Sequence, residues 1–249
     1  MRDWDAATYD RVSGPQVEWA KRVLERLPLQ GHETVLDAGC GSGRVTRLLL
    51  ERLPEGRVIA VDAAPSMVEH AREALDERAT VLCQDLAELQ LEEPVDAAFS
   101  NAVFHWVPDH ERLFARLHEA LRPGGRLVAQ CGGAGNVERF HAVAKELASE
   151  PPYAEYLDGW SGPWNFAGAE ETAERLARAG FEEPSAWLEP FTVVPDWPAD
   201  YLRTVCLGYQ LERMPAEIGG RYVDDVERRL GPEIELDYVR LNIAGRRPG

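Results

Sequence analysis

Two features of this chain have the residue types and the spacing to do chemistry together: the run Gly39-Cys40-Gly41-Ser42-Gly43 and the acid Asp62. A glycine turn between a strand and a helix lets main chain approach a ligand closely and aims the first N–H groups of the helix at it, so it suits an anionic or zwitterionic ligand. Gly-x-Gly alone can equally be a tight loop that binds nothing. The setting favours binding. The turn follows a predicted strand, Thr34-Val35-Leu36-Asp37, and precedes a predicted helix over about 44–53, while Asp62 ends the next strand, Arg57-Val58-Ile59-Ala60-Val61-Asp62, where it can accept from ribose hydroxyls. A dinucleotide fingerprint wants glycine at the sixth position, where this chain has Arg44, and no Gly-Lys-Ser/Thr follows the turn. The first departure weakens a nicotinamide cofactor and the second excludes a phosphate loop.

The elements that must position these residues alternate along the chain. An amphipathic helix carrying Val17, Ala20, Val23, Leu24 and Leu27 stops at Pro28, and the strand-helix rhythm starts after it. Pro65 suits the first turn of a helix whose apolar face is Met67, Val68, Ala71 and Leu75. Further strands are predicted over 80–83, 95–100 and 125–130, the last preceded by a helix with Leu113, Leu117 and Leu121 and by the turn Arg122-Pro123-Gly124-Gly125. Short, continuously apolar strands separated by helices imply a doubly wound parallel sheet covered on both faces.

Beyond Gln130 the pattern breaks, with Gly132-Gly133, Pro151-Pro152 and the run Trp160-Ser161-Gly162-Pro163-Trp164-Asn165-Phe166, which reads as an insertion without a core of its own. Regularity returns with a helix over 169–179, a strand over 186–194, helices over about 199–208 and 221–230, and a long strand over 234–245. The expectation is one α/β domain over 1–249 on a mostly parallel seven-stranded sheet. Its core spans about 30–132, 169–194 and 233–247, with an N-terminal cap over 1–29 and lid insertions over about 133–168 and 195–232.

The run Val35-Leu36-Asp37-Ala38-Gly39-Cys40-Gly41-Ser42-Gly43 resembles the first motif of the class I S-adenosylmethionine-dependent methyltransferases, and three more segments complete the set. Val58 to Asp62 with Pro65 and Met67 is similar to the ribose and adenine motif, Cys83-Gln84-Asp85-Leu86 to the second adenine contact, and Leu121-Arg122-Pro123-Gly124-Gly125 to the turn before the fifth strand. Within the class, Asp3-Trp4-Asp5 with Tyr9, and the run from Asn101 to His110, look most like the trans-aconitate methyltransferases.

The resemblance implies a Rossmann-like methyltransferase fold and roles for named positions. Gly39, Cys40, Gly41 and Gly43 would receive the methionine part of the cofactor, with Asp37 at its ammonium end and the backbone carbonyl of Asn101 nearby. Asp62, beside Ala63, would take the ribose hydroxyls, and Met67, Asp85 and the Leu86 N–H the adenine. Ala102 and Trp106 would border the cofactor, with Trp4 and Tyr9 folding over it. Where the family often has Ser, this chain has Ala63 and Ala64, so a helix cap is expected to be missing.

Methyl transfer from a sulfonium is an in-line displacement that gains mainly from alignment and exclusion of water. A carboxylate acceptor is already ionised at neutral pH, whereas a hydroxyl or carbon acceptor needs a base. His105 is the candidate base, with a purely structural hydrogen-bonding role as the competing reading. His110, at a predicted helix start, is expected at the surface. A carboxylate substrate favours an arginine fork, for which Arg203 is the first candidate, ahead of Arg213 and Arg221. Trp160, Trp164 and Tyr209, with His105, are candidates to wall the acceptor pocket.

With 27 basic against 43 acidic residues the net charge is −16, which opposes field-driven binding of nucleic acid or of anionic lipid. Cys40, Cys83, Cys131 and Cys206 show no metal-ligand spacing and read as buried thiols of a cytoplasmic protein, with no metal expected. No apolar stretch is long enough to span a bilayer. The expected activity is methylation of a small molecule, most simply on a carboxylate oxygen, by a monomer or homodimer. The alternatives are C- or O-methylation of a quinone-like or natural-product ring and, from another class, nicotinamide-dependent oxidoreduction.

Overall fold

The computed structural model describes residues 14–249, so Trp4 and Tyr9 lie outside the described residues. Strand β1, Thr34–Ala38, is buried at every position and lies parallel to β2, Arg57–Asp62, on one side and to β4, Val95–Asn101, on the other. Strand β3, Ala79–Cys83, extends the sheet beyond β2, and β5, Leu121–Gly132, extends it beyond β4, both in parallel. Strand β7, Leu236–Arg246, then inserts antiparallel between β5 and β6, Glu182–Val193, giving the order β3-β2-β1-β4-β5-β7-β6. The doubly wound, mostly parallel sheet of seven strands is as expected.

Because successive strand residues face opposite ways, each central strand feeds two cores. Val35, Val58, Phe99 and Val128 pack with apolar residues of α1 (Gly14–Glu25), α2 (Arg44–Glu51) and α3 (Pro65–Ala74). Leu36, Val61, Ala98 and Leu127 pack on the other face with α4 (His110–Ala120) and a later helix, Ala169–Arg178. Helix α3 starts with Pro65 in its first turn and no side-chain bond from its N-cap, Ala64. The missing cap is partly made good by Asp62, whose Oδ1 accepts the Ala64 N–H at 2.9 Å.

Several details depart from expectation. The predicted turn 122–125 is absorbed into β5 as a swelling: Val95 pairs with Leu121 and Ala97 with Arg126, and Gly124 makes the return at φ +79°. The predicted helix over 199–208 is broken into α-turns Pro198–Tyr201 and Gly208–Leu211 around a π-turn, Leu202–Cys206. The two insertions also share a third apolar cluster. Helix α5, Glu138–Ala148, contributes Phe140 and Leu147, and the helix Ala216–Leu230 contributes Tyr222 and Val226; the cluster reaches the sheet through Trp19 of α1 and through Leu236 and Tyr238 of β7. Of the cysteines, Cys40, Cys131 and Cys206 are buried free thiols, but Cys83 is exposed at the end of the edge strand β3.

Candidate active site

The glycine turn hangs from the end of β2, with the N–H groups of Gly39 and Cys40 both donating to the Val61 carbonyl, at 2.8 and 3.0 Å. Gly39 has φ +92°, and a Cβ there would lie 2.2 Å from Val103 Cγ2, so no side chain fits. Gly41 donates its N–H to Asp62 Oδ2 at 2.9 Å. Asp62 therefore fastens the turn through one oxygen and the start of α3 through the other. Asp37 is buried behind the turn and accepts from the Thr46 hydroxyl at 2.7 Å. Burial raises its carboxyl to about 7, with Thr46 pulling down and the charge of Asp62 pushing up. Burial also raises Asp62, against the backbone N–H groups of Ala64, Gly41 and Ala63. Two carboxylates crowded into a low-dielectric corner beside a side-chain-free turn fit a ligand that brings a positive charge and hydroxyls. That is the chemistry of S-adenosylmethionine.

One cavity opens from this turn. Asp37, Gly39, Cys40, Gly41, Asp62 and Ala63 wall its first part, with Met67, Asp85 and Leu86 beside them. Gly43 is the N-cap of α2 at φ +85° and lies outside the wall. Asp85 spends its Oδ1 on the Ala87 N–H at 2.9 Å, capping the short turn Leu86–Glu88. Asn101 and Ala102, at the end of β4, also reach the cavity. The Asn101 carboxamide donates to the Gln16 carbonyl at 2.9 Å, and Ala102, at φ +62°, donates its N–H to Gln130 at 2.7 Å.

The remainder of the cavity is aromatic and basic. Trp106 stacks on Tyr209 at 5.2 Å and meets Trp164 at 6.3 Å; all three line the cavity. His105 is buried, stacks on Phe166 at 5.7 Å, and accepts the Gly132 N–H at its Nδ1 at 3.2 Å. A ring nitrogen that accepts carries no hydrogen, so in the neutral ring the hydrogen is on Nε2. Burial holds the imidazole well below its usual range, and the charge of Arg240 pushes the same way. With its lone pair engaged there, the ring has a donor left for the cavity, which speaks against the base expected at His105.

Four further candidates, Arg203, Arg213, Arg221 and Trp160, do not line the cavity. Arg203 is exposed on the π-turn whose buried side is Leu202, Thr204 and Cys206, and Trp160 packs outside, against Trp164 at 5.7 Å with Arg213 over its ring at 5.3 Å. Arg221 is likewise exposed. His110, expected at the surface, is buried, with Nε2 at 2.9 Å from the Phe104 carbonyl. In their place the cavity has Gln16, Asn136, His141 and Arg240, none of which the sequence reading singled out. A signal existed for Arg240: it shares strand parity with Leu236, Tyr238 and Asn242, all buried. His141 sits four residues from both Val137 and Lys145 and one from Phe140, on the margin of the buried stripe of α5.

Residues 35–125 match the family model described as a methyltransferase domain. The trans-aconitate 2-methyltransferase of Methylobacterium nodulans is 36% identical over 207 residues, covering 82% of this chain and 75% of that protein. The chain belongs to the trans-aconitate 2-methyltransferase family. The family enzyme of Variovorax paradoxus is 29% identical over 240 residues, covering 92% of this chain and 90% of its own. In fold, phosphoethanolamine N-methyltransferase 2 of Haemonchus contortus in complex with S-adenosyl-L-methionine superposes with a TM-score of 0.63 at 19% identity, over 98% of this chain and 57% of that one. As a member of the trans-aconitate 2-methyltransferase family, the protein is an S-adenosylmethionine-dependent methyltransferase, and a nicotinamide oxidoreductase is not favoured. Among the described residues no group of three or more His, Cys, Asp or Glu is placed to hold a metal ion, and no helix is long and apolar enough to cross a membrane.

Proposed function

We propose that this enzyme methylates a carboxylate oxygen of a small polycarboxylate of the trans-aconitate type, forming a methyl ester. When bound at the turn, S-adenosylmethionine would supply a methyl group on a sulfonium; the acceptor oxygen would bond to that methyl carbon as the carbon–sulfur bond breaks and the neutral thioether leaves with the bonding pair. The observation that carries this reading is the state of the cavity histidines. His105 has its Nδ1 committed to the Gly132 N–H, and burial pushes His141 down to about 4, too weak a base to strip a hydroxyl or carbon acid at neutral pH. An acceptor that arrives ionised needs neither. A quinone-like or other ring acceptor would require the base that these two residues do not offer.

In this reading Asp37 holds the ammonium end of the cofactor and Asp62 its ribose, while Met67, Asp85 and the Leu86 N–H hold the adenine. Gly39, Cys40, Gly41, Ala63, Ala102 and the Asn101 carbonyl supply close main chain. Trp106, Trp164 and Tyr209 exclude water from the transfer step. The two insertions act as the lid, and the three buried thiols fit a reducing cytoplasm.

The test is to incubate the enzyme with S-adenosylmethionine and a panel of mono-, di- and tricarboxylates alongside phenols and enols. The expected product comes from a carboxylate and loses its methyl group in mild alkali, as an ester does. An alkali-stable product formed from a phenol or enol would overturn the reading.

A further inference from the structure

We propose that Arg240, Asn136 and His105 form a wall of hydrogen-bond donors that receives the non-reacting carboxylates of the acceptor. This rests on the acceptor being a polycarboxylate. All three residues line the cavity, and they meet where β5 and β7 cross register. Gly132 of β5 pairs directly with Arg240 of β7. The Gly132 N–H donates to His105 Nδ1 at 3.2 Å, and the N–H of Val239, next to Arg240, donates to Asn136 Oδ1 at 3.1 Å. In both cases a backbone N–H takes up the side chain's acceptor, leaving its donor for the cavity: Nε2–H of His105 and the amide NH2 of Asn136.

Arg240 adds a charge. It is 2% exposed, its guanidinium lies over Trp19 at 4.4 Å, and its Nε donates to Gln130 Oε1 at 3.4 Å. Gln130 has its orientation set from the other side, because its Nε2 donates to Asn242 at 2.7 Å. A guanidinium held in this way is a planar donor group in the cavity wall, a shape matched to a carboxylate. The neutral state of His105 suits the same task, since it donates without adding a second buried charge.

The cavity is thereby polarised. Asp37 and Asp62 stand at the ends of β1 and β2, with Arg44 bordering the turn, and Arg240 stands on β7. From β1 to β7 is three strand spacings in the sheet, ~14 Å at the usual interstrand distance. A cationic cofactor and a polyanionic acceptor are sorted to their own ends before the reacting groups meet between them.

Two substitutions test the wall. Asn136→Asp keeps an oxygen for the Val239 N–H and turns the donor facing the cavity into a carboxylate oxygen. Arg240→Met keeps most of the stem volume and removes the fork. Kinetics at saturating S-adenosylmethionine with trans-aconitate are expected to show KM raised about a hundredfold in each variant, with cofactor affinity by calorimetry unchanged. KM for a monocarboxylate acceptor should move far less than KM for the tricarboxylate. If trans-aconitate KM stays within about threefold of wild type in both variants while the wild type is active, the donor wall is wrong and the carboxylate reading stands. If the wild type binds cofactor but esterifies no carboxylate, the functional reading fails and takes this inference with it. Should Arg240→Met not fold, Asn136→Asp decides.

Discussion

At the β1–β2 end of the cavity the structure is made by main chain: Gly39 and Cys40 share one carbonyl, and a single acid, Asp62, ties the turn to the next helix. At the β5–β7 end it is made by side chains from segments far apart in sequence, with main chain serving only to orient them. The first arrangement leaves no room for a side chain at Gly39 and holds Gly39, Gly41 and Gly43 at positive φ. The second depends on residue type at each position, so it can differ between enzymes that share the sheet and the cofactor.

The largest effect that would sharpen this contrast is expected from Asp62→Ala. It removes two charge-assisted bonds to main chain as well as the proposed contact with the cofactor ribose, so affinity for S-adenosylmethionine should fall roughly a hundred- to a thousandfold, measured by calorimetry. A loss below about tenfold would mean that the turn keeps its shape without its tie.

The next effect is a pH dependence confined to the cofactor end. In the free enzyme Asp37 has its carboxyl raised to about 7 by burial, and a cationic ligand favours the ionised form. Above that pH the group is already charged and affinity is full; below it binding must expel a proton, and affinity should drop by up to about tenfold per pH unit. Calorimetry in buffers of different ionisation enthalpy should show proton release below pH 7 and none well above it. Proton uptake on binding would contradict the assignment. Thr46→Val removes the hydroxyl that pulls Asp37 down, so it should shift the window to higher pH.

The smallest effect is expected from Arg203→Ala. The side chain is exposed on the outer side of the π-turn, so KM for the acceptor should stay within about twofold, as for a solvated surface charge. A tenfold rise would return the acceptor site to the lid.

The same contrast explains what was legible in the sequence. A strand ending in a left-handed turn demands glycine locally, so Gly39 and Gly41 announce themselves, and β2 was readable to its ends because its apolar run is bounded by Gly56 and Pro65. Arg240 looked like one charge in a long strand. Its meaning depends on the β5–β7 register, which no local pattern specifies, although its parity with Leu236 and Tyr238 marked it as inward-facing. Asn136 and His141 lie in an insertion whose path is set by packing against β7 and by the bond between Val137 N–H and the Asp237 carbonyl. Arg203 stands out in the sequence for its residue type, and His105 for its place after the fourth strand. Side-chain direction in the first case, and the Gly132 N–H in the second, are tertiary facts.

The contact between Arg240 and Trp19 has an optical consequence. A guanidinium 4.4 Å from an indole ring sets the local electric field there, and an anion arriving at the guanidinium partly cancels that field. Of the seven tryptophans in the chain, Trp19 thus has a spectrum tuned by the charge of the acceptor end, and the difference in emission between the wild type and Trp19→Phe would report filling of that end without any label.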